Sequence, residues 1–256
     1  MRIDLILVPQ GAEYQAIQHG LDAWDRPRPL VLPLPMGPAA VQRHLHQLQG
    51  ANQLPVGENQ HVLLLGLAGS LSPAYRVGDV VVLTCMTAAT RVEGPDVLSP
   101  DHENQYECDR PLTHAIYHHL QRQQSITRTA SFQLAMERGI TCDRLLTTGQ
   151  EKQRVGQQFP ASCVEMEGTS VLATMQGLGA KVSILRVISD DCYTTIPDLT
   201  PAIDPNGQLK VGSMVGIFAR QPLAATRLIQ GSLTGLQRLR RITRWLGEGL
   251  DAPDAL

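Results

Sequence analysis

Short apolar runs recur along the chain, each closed by glycine, proline or an acid, and the stretches between them place apolar residues at helical spacing. Ile3 to Val8 reads as a buried strand and Gly11 to Leu21 as a short helix. Leu30 to Leu34 reads as a second strand, followed by Met36-Gly37-Pro38-Ala39-Ala40-Val41, where Gly37 gives a tight turn and Pro38 suits the first helical position. His61 to Leu65 is a third strand, entering a glycine turn, Gly66-Leu67-Ala68-Gly69-Ser70, and Val77 to Leu83 is a fourth. Further on, Thr141 to Thr147 reads as a strand and Gln150 to Gln158 as a helix.

Two segments lack any period. Thr87 to Arg110, with its two prolines and many polar residues, predicts a long surface loop. Asp191 to Gly207, with Pro197, Pro201 and Pro205, predicts a second, in the position of a lid. Neither an internal repeat nor a break in composition divides the chain, so residues 1–256 are expected to form one domain. Near the end, Leu233, Leu236, Leu239, Ile242 and Leu246 fall at helical spacing, predicting a helix over about 221–247. Arg220 to Leu246 holds six arginines and no acid. Either this helix packs its apolar stripe on the core and solvates its charges, or it is a basic amphipathic helix that touches an anionic membrane surface.

At 43% hydrophobic and 18% charged residues, the composition is that of an ordinary globular protein. A net charge of −2 gives no global attraction for nucleic acid, and 4% aromatics argues against a base-stacking single-strand binder. The five cysteines (85, 108, 142, 163 and 192) are odd in number and never spaced as CxxC, which predicts reduced thiols in a cytoplasmic protein. The first residues carry Asp4 inside a run too short for a signal peptide, and no stretch approaches the length of a membrane span.

The candidate chemistry lies in two stretches, Cys163-Val164-Glu165-Met166-Glu167-Gly168 and Leu185-Arg186-Val187-Ile188-Ser189-Asp190. Each sets acids at the end of an apolar strand-like run, and a helix-length segment, Thr169 to Gly179, joins them. That order presents acids at the carboxyl ends of neighbouring strands of an α/β protein, so Glu167 and Asp190 are expected to face one pocket.

With these segments in place the chain resembles the purine nucleoside phosphorylase and nucleosidase superfamily, from Ile3 to about Asp191. The resemblance rests on Gly66-Leu67-Ala68-Gly69 with Val77-Gly78-Asp79-Val80-Val81, then Val164-Glu165-Met166-Glu167-Gly168, then Arg186-Val187-Ile188-Ser189-Asp190. It implies a three-layer α/β phosphorylase/hydrolase-like fold around a mixed, partly barrel-like sheet, in a homo-oligomer, usually a dimer or hexamer. Leu71-Ser72-Pro73, Ile196-Pro197-Asp198-Leu199 and the tail from Arg220 are similar to the hopanoid-associated phosphorylase group, which implies adenosylhopane, relieved of its adenine, as substrate.

The resemblance also implies roles. Cleaving a purine–ribose bond requires a protonated base, a stabilised oxocarbenium-like sugar and a nucleophile on the opposite face, the last two as in glycoside hydrolysis. Asp190 matches the acid that shares a proton with purine N7, which requires burial or a like-charged neighbour such as Asp191 to keep it protonated. Glu167 matches the acceptor of the ribose hydroxyls, with Met166 against the sugar and Ser189 in the binding set. Glu165 either pairs with Arg186 or binds within the pocket. Glu13 matches the acid that positions and deprotonates water in hydrolytic members, although an acid in a first helical turn is also ordinary dipole chemistry. Gly37, Ala68 and Gly69 would offer small residues and backbone N–H groups near the nucleophile.

Water is favoured over phosphate. Phosphorylases often carry an arginine before the glycine turn to hold the dianion; here Val62 to Leu65 has no cation, and Leu67 stands where many members have serine or threonine. Arg43 reads as a helix-surface residue. A phosphate-dependent phosphorylase, or a methylthioadenosine/adenosylhomocysteine-type nucleosidase, is the alternative. Thr147 to Lys152 lacks the aromatic that some nucleosidases stack on adenine, leaving Phe132 and Phe159 as the candidates.

His114 and His118 are four apart, but no third metal ligand is evident, and the glycine segment matches neither GxSxG nor GxGxxG. No metal and no cofactor is implied. The rival from another class is a non-catalytic nucleoside sensor, which would normally lose one of Asp190, Glu167 or Glu13; all three are present.

Overall fold

A computed structural model describes residues 2–91, 98–127 and 132–249. The strands are β1 (Leu5–Pro9), β2 (Leu30–Leu34), β3 (His61–Ser70), β4 (Val80–Arg91), β5 (Leu98–Glu107), β6 (Leu134–Cys142), β7 (Cys163–Glu165) and β8 (Lys181–Asp190). The helices are α1 (Ala12–Leu21), α2 (Pro38–Gly50), α3 (Arg110–Thr127), α4 (Gly149–Gln158), α5 (Gly168–Gly177), α6 (Val211–Arg220) and α7 (Pro222–Leu246), with one 3-10 turn at Thr200–Ala202.

All eight strands join one mixed sheet. β3 pairs with β7 and β8, β8 with β4, β4 with β6, and β6 with β7, so five strands close on themselves as a barrel. β1 and then β2 extend it beyond β3, and β5 continues it beyond β4. The alternation of apolar residues sorts side chains to two faces. Leu63, Leu65, Val80, Val82, Leu185 and Val187 pack with α1, α3 and α7. Val62, Leu64, Val81, Leu83, Ile184 and Ile188 pack with α2 and α5. The result is the expected helix–sheet–helix layering around a partly closed sheet. All five cysteines are buried free thiols. Among the described residues no helix is long and apolar enough to cross a membrane.

Four expectations are corrected. The Thr87–Arg110 loop is in large part a hairpin: β4 runs to Arg91 and β5 pairs antiparallel with it. β5 is an edge strand rich in polar residues, so it carries no hydrophobic period; residues 92–97 lie outside the described residues. Gly66 to Ser70 is no turn, because β3 continues through it in register with β8. The strand expected at Thr141–Thr147 is β6, which ends at Cys142. Its first half faces a half-buried surface and includes Glu137 and Arg138, which mask it as a strand in the sequence. Finally, the two acid-bearing strands, β7 and β8, are not neighbours; β3 lies between them, antiparallel to one and parallel to the other.

Helix α6 extends the described structure beyond the sequence reading. It is apolar, yet none of its residues is buried. The carboxyl-terminal helix lies where expected, and its second half buries Leu239, Ile242, Trp245 and Leu246 in the core.

Candidate active site

Three acids of different elements meet one guanidinium. Arg186, in the middle of β8, is completely buried, and its Nη2 donates to Glu165 at the end of β7 and, at 3.1 Å, to Oε2 of Glu167. Glu13, in the first turn of α1, completes the group through its charge and accepts the Leu67 N–H at 2.6 Å. β3 admits this arrangement because position 66 is glycine: a Cβ there would lie 2.1 Å from Nη1 of Arg186 and 2.9 Å from Oε1 of Glu13.

Glu165 forms the ion pair with Arg186. Its carboxylate accepts the Thr141 hydroxyl at 2.5 Å and the backbone N–H groups of Glu167 and Gly168 at 2.9 to 3.1 Å, besides Arg186. It therefore caps α5 and balances the guanidinium, the ion-pair alternative of the two open for it.

Glu13 and Glu167 are both held above the ordinary carboxylate range. Burial, opposed by Arg186 and by the Gly37 backbone, pushes Glu167 up to about 8. Burial likewise pushes Glu13 up to about 7, against the Leu67 N–H and Arg186, which favour its charge. Three carboxylates share one guanidinium, so the full set of charges is not balanced within the protein. The cluster is built to receive a cation or hydroxyl donors.

Gly37 introduces α2 with a φ of 91°, the left-handed region that favours glycine, and its Cβ position lies 3.9 Å from Met166 Cε. Gly37 and Met166 line a cleft of about 510 Å³ that continues along Ile203 to Gly207. A second cleft, about 800 Å³, opens between α4 and Asp198–Thr200. The side chains of Glu13, Glu167 and Asp190 line neither cleft. The 191–210 segment is tied down by Gly207 and Pro205 carbonyls accepting from the Met36 N–H at 3.0 Å, Gln10 Nε2 at 3.1 Å and Arg43 Nη2 at 2.5 Å.

Asp190 closes β8 one register step beyond a bulge and faces Gly69 of β3, where a Cβ would sit 3.0 Å from its Oδ2. The hydroxyl of Ser189 reaches its Oδ1 at 2.7 Å and the Ala68 carbonyl at 3.3 Å. Glu13 and Asp190 thus flank opposite ends of the Gly66–Gly69 run, roughly 10 Å apart along the strand at ~3.3 Å per residue, with Glu167 beside Arg186.

The neighbour of Asp190 is not the expected one. Asp191 turns away, its Oδ1 accepting the N–H groups of Tyr193 and Thr194 at 2.9 and 2.8 Å. Lys152 of α4 takes the place instead, its buried ammonium donating to Oδ2 of Asp190. Nothing in the sequence marks Lys152, since α4 is polar almost throughout and its lysine looks like a solvated one. Phe132 and Phe159 take no part: Phe132 lies under Trp245 and the Arg238 guanidinium, and Phe159 is buried with Leu71 and Val155.

The family model described as "Phosphorylase superfamily" matches residues 10–204. Native futalosine hydrolase of Helicobacter pylori strain 26695 is similar at 17% identity and a TM-score of 0.60, covering 93% of this chain and 95% of its own. The 5'-methylthioadenosine/S-adenosyl homocysteine nucleosidase of Campylobacter jejuni is similar at 16% identity and 0.59, covering 94% and 99%. The H. pylori enzyme of the same name, with butyl-thio-DADMe-Immucillin-A, is similar at 18% and 0.56, covering 94% and 97%. No curated protein matches the chain.

Proposed function

The chain belongs to the phosphorylase superfamily, and from that premise we propose that it is an enzyme that cleaves the N-glycosidic bond of a purine nucleoside, adenine being the base and water the nucleophile. The observation that carries this reading is the convergence of three carboxyl groups, Glu13, Glu165 and Glu167, on the single buried guanidinium of Arg186. A departing purine leaves an oxocarbenium-like sugar, and acids raised toward neutrality by burial favour that cation more than the neutral substrate, because its charge draws them into their anionic form. Glu167 accepts from the ribose hydroxyls and Met166 packs on the sugar. Asp190, with Ser189 on its other oxygen, serves N7. Gly37, Ala68 and Gly69 keep the backbone close to the substrate.

Water is favoured because each nearby cation already has an oxygen partner, Arg186 through Nη2 alone. Arg186 serves Glu165 and Glu167, Lys152 serves Asp190, and Arg43 donates to Pro205. A phosphate dianion would need one of them released. Glu13, poised near neutrality, suits a general base that takes a proton from water. Substrate enters when the 191–210 segment lifts from Met36 and Gln10. In this reading one domain carries the whole reaction, as a homo-oligomer.

The finer reading, an adenosyl lipid such as adenosylhopane, is favoured by α6. Val211 and Val215 are exposed, Leu223 follows on α7, and Lys210, Arg220 and Arg227 flank them. Apolar residues with a cationic rim suit an anionic membrane surface, next to the segment over the site. Sedimentation with anionic and neutral vesicles tests this; binding to neither overturns it.

The deciding experiment offers the chain adenosine, methylthioadenosine, futalosine and an adenosyl lipid, with and without phosphate, and follows the free base. Base released without phosphate supports the reading. Strict dependence on phosphate makes the chain a phosphorylase, and binding without release makes it a sensor.

A further inference from the structure

Lys152 has an environment no surface lysine shares. It is completely buried, and its Nζ has three oxygens around it: Oδ2 of Asp190, and the carbonyls of Asp191 and Thr194, each at 3.1 Å. Acceptors on every side require three N–H donors, which only the ammonium supplies. α4 is pressed into place for this contact. Gly149 opens it where a Cβ would lie 2.4 Å from the Tyr193 carbonyl, and the Ile196 N–H donates to Thr147 just before it at 2.8 Å.

The acid assigned to the leaving base thus has a buried cation as its partner. The arrangement suits an acid if the proton is kept on that partner. We propose that Lys152 is a positioning residue for Asp190, fixing Oδ2 and holding the proton that Asp190 passes to the departing purine. This rests on the assignment of Asp190 to N7. As the C1′–N9 bond breaks, its electron pair enters the purine ring and N7 takes a proton from the Asp190 carboxyl. Asp190 takes its proton from Nζ, leaving an amine that still donates to the Asp191 and Thr194 carbonyls. Solvent recharges the amine after the base departs.

The test compares two leaving groups in Lys152→Met and Lys152→Arg. One substrate is the adenine nucleoside the wild type cleaves best; the other is 4-nitrophenyl β-D-ribofuranoside, whose phenolate departs unprotonated. Arginine keeps the charge but does not release its proton. Both variants are expected to lose roughly 100-fold in kcat on the nucleoside, the scale of general acid catalysis. Turnover of the nitrophenyl riboside should change by less than about threefold, since no proton is delivered there. The ratio between substrates is unaffected by any unfolded fraction, and Lys152→Arg serves should Lys152→Met not fold. Equal losses on both substrates would make Lys152 a tie for residues 191–194 and overturn the proposal, as would unchanged turnover of the nucleoside. A wild-type chain that cleaves neither substrate sinks the glycosidic reading itself, and this role with it.

Discussion

The guanidinium of Arg186 occupies the space in which any side chain at position 66 would stand: a Cβ on Gly66 would lie 2.1 Å from Nη1. A fixed backbone and a buried ion cluster meet there, and neither can yield cheaply. Gly66→Ala is expected to cost about 1–3 kcal/mol, as overpacking does. Gly57→Ala, where nothing lies within 4 Å, is the matched control and should stay near neutral. Denaturant titration of both variants measures the difference.

Among the described residues Arg186 is the one cation paired with Glu165 and Glu167, whose carboxylates are nearly sealed from solvent. Removing it leaves buried acids uncompensated, so Arg186→Met is expected to destabilise by about 3–5 kcal/mol. In a chain of this size each kcal/mol moves the thermal midpoint by roughly 2–4 °C. A midpoint within about 2 °C of wild type would show that the cluster contributes little.

Asp190→Asn keeps the shape of the side chain and the contact with Ser189, but cannot accept and pass on a proton. Cleavage of adenine nucleosides is expected to fall by about 10²–10⁴, with binding retained. Stopped-assay turnover beside calorimetric binding of the same nucleoside reads both; retained turnover would remove Asp190 from the role of acid.

Glu13 is raised to about 7 by burial, so it gains the charge a base needs only near neutral pH. The rate constant kcat/KM is expected to fall below about pH 7 as Glu13 takes up its proton. Glu13→Gln should lower the rate at every pH and abolish that limb. A limb that persists in the variant belongs to another group.

Glu13 and Glu167, both raised by burial, make stability depend on pH. Below their ordinary value of 4.5 the folded and unfolded chains both hold the protons. As the pH rises the unfolded chain releases them first, while the folded protein keeps them until about 7 at Glu13 and about 8 at Glu167. The unfolded state therefore binds fewer protons across this window, and stability falls as pH rises through it. The thermal midpoint of the free protein is expected to drop between pH 5 and pH 8, and less steeply in Glu13→Gln. A midpoint that rises over this range contradicts the two assignments.

The sequence by itself determined the layers of this protein. Continuous apolar runs such as Val62 to Leu65 and Val80 to Leu83 serve both faces of the sheet because a buried strand must satisfy two cores, and that demand is written residue by residue. The acids at Glu165, Glu167 and Asp190 were legible too, since each closes such a run. Tertiary structure alone decided the rest. β5 takes its place through backbone pairing with β4, which any side chain permits and no hydrophobic period announces. Gly66 reads locally as a turn, and only the buried Arg186 across the pair of strands shows why it lacks a side chain. Lys152 lies on a polar helix and far from Asp190 in the chain; burial joined them, because a lysine loses its water only where folding supplies three oxygens in exchange.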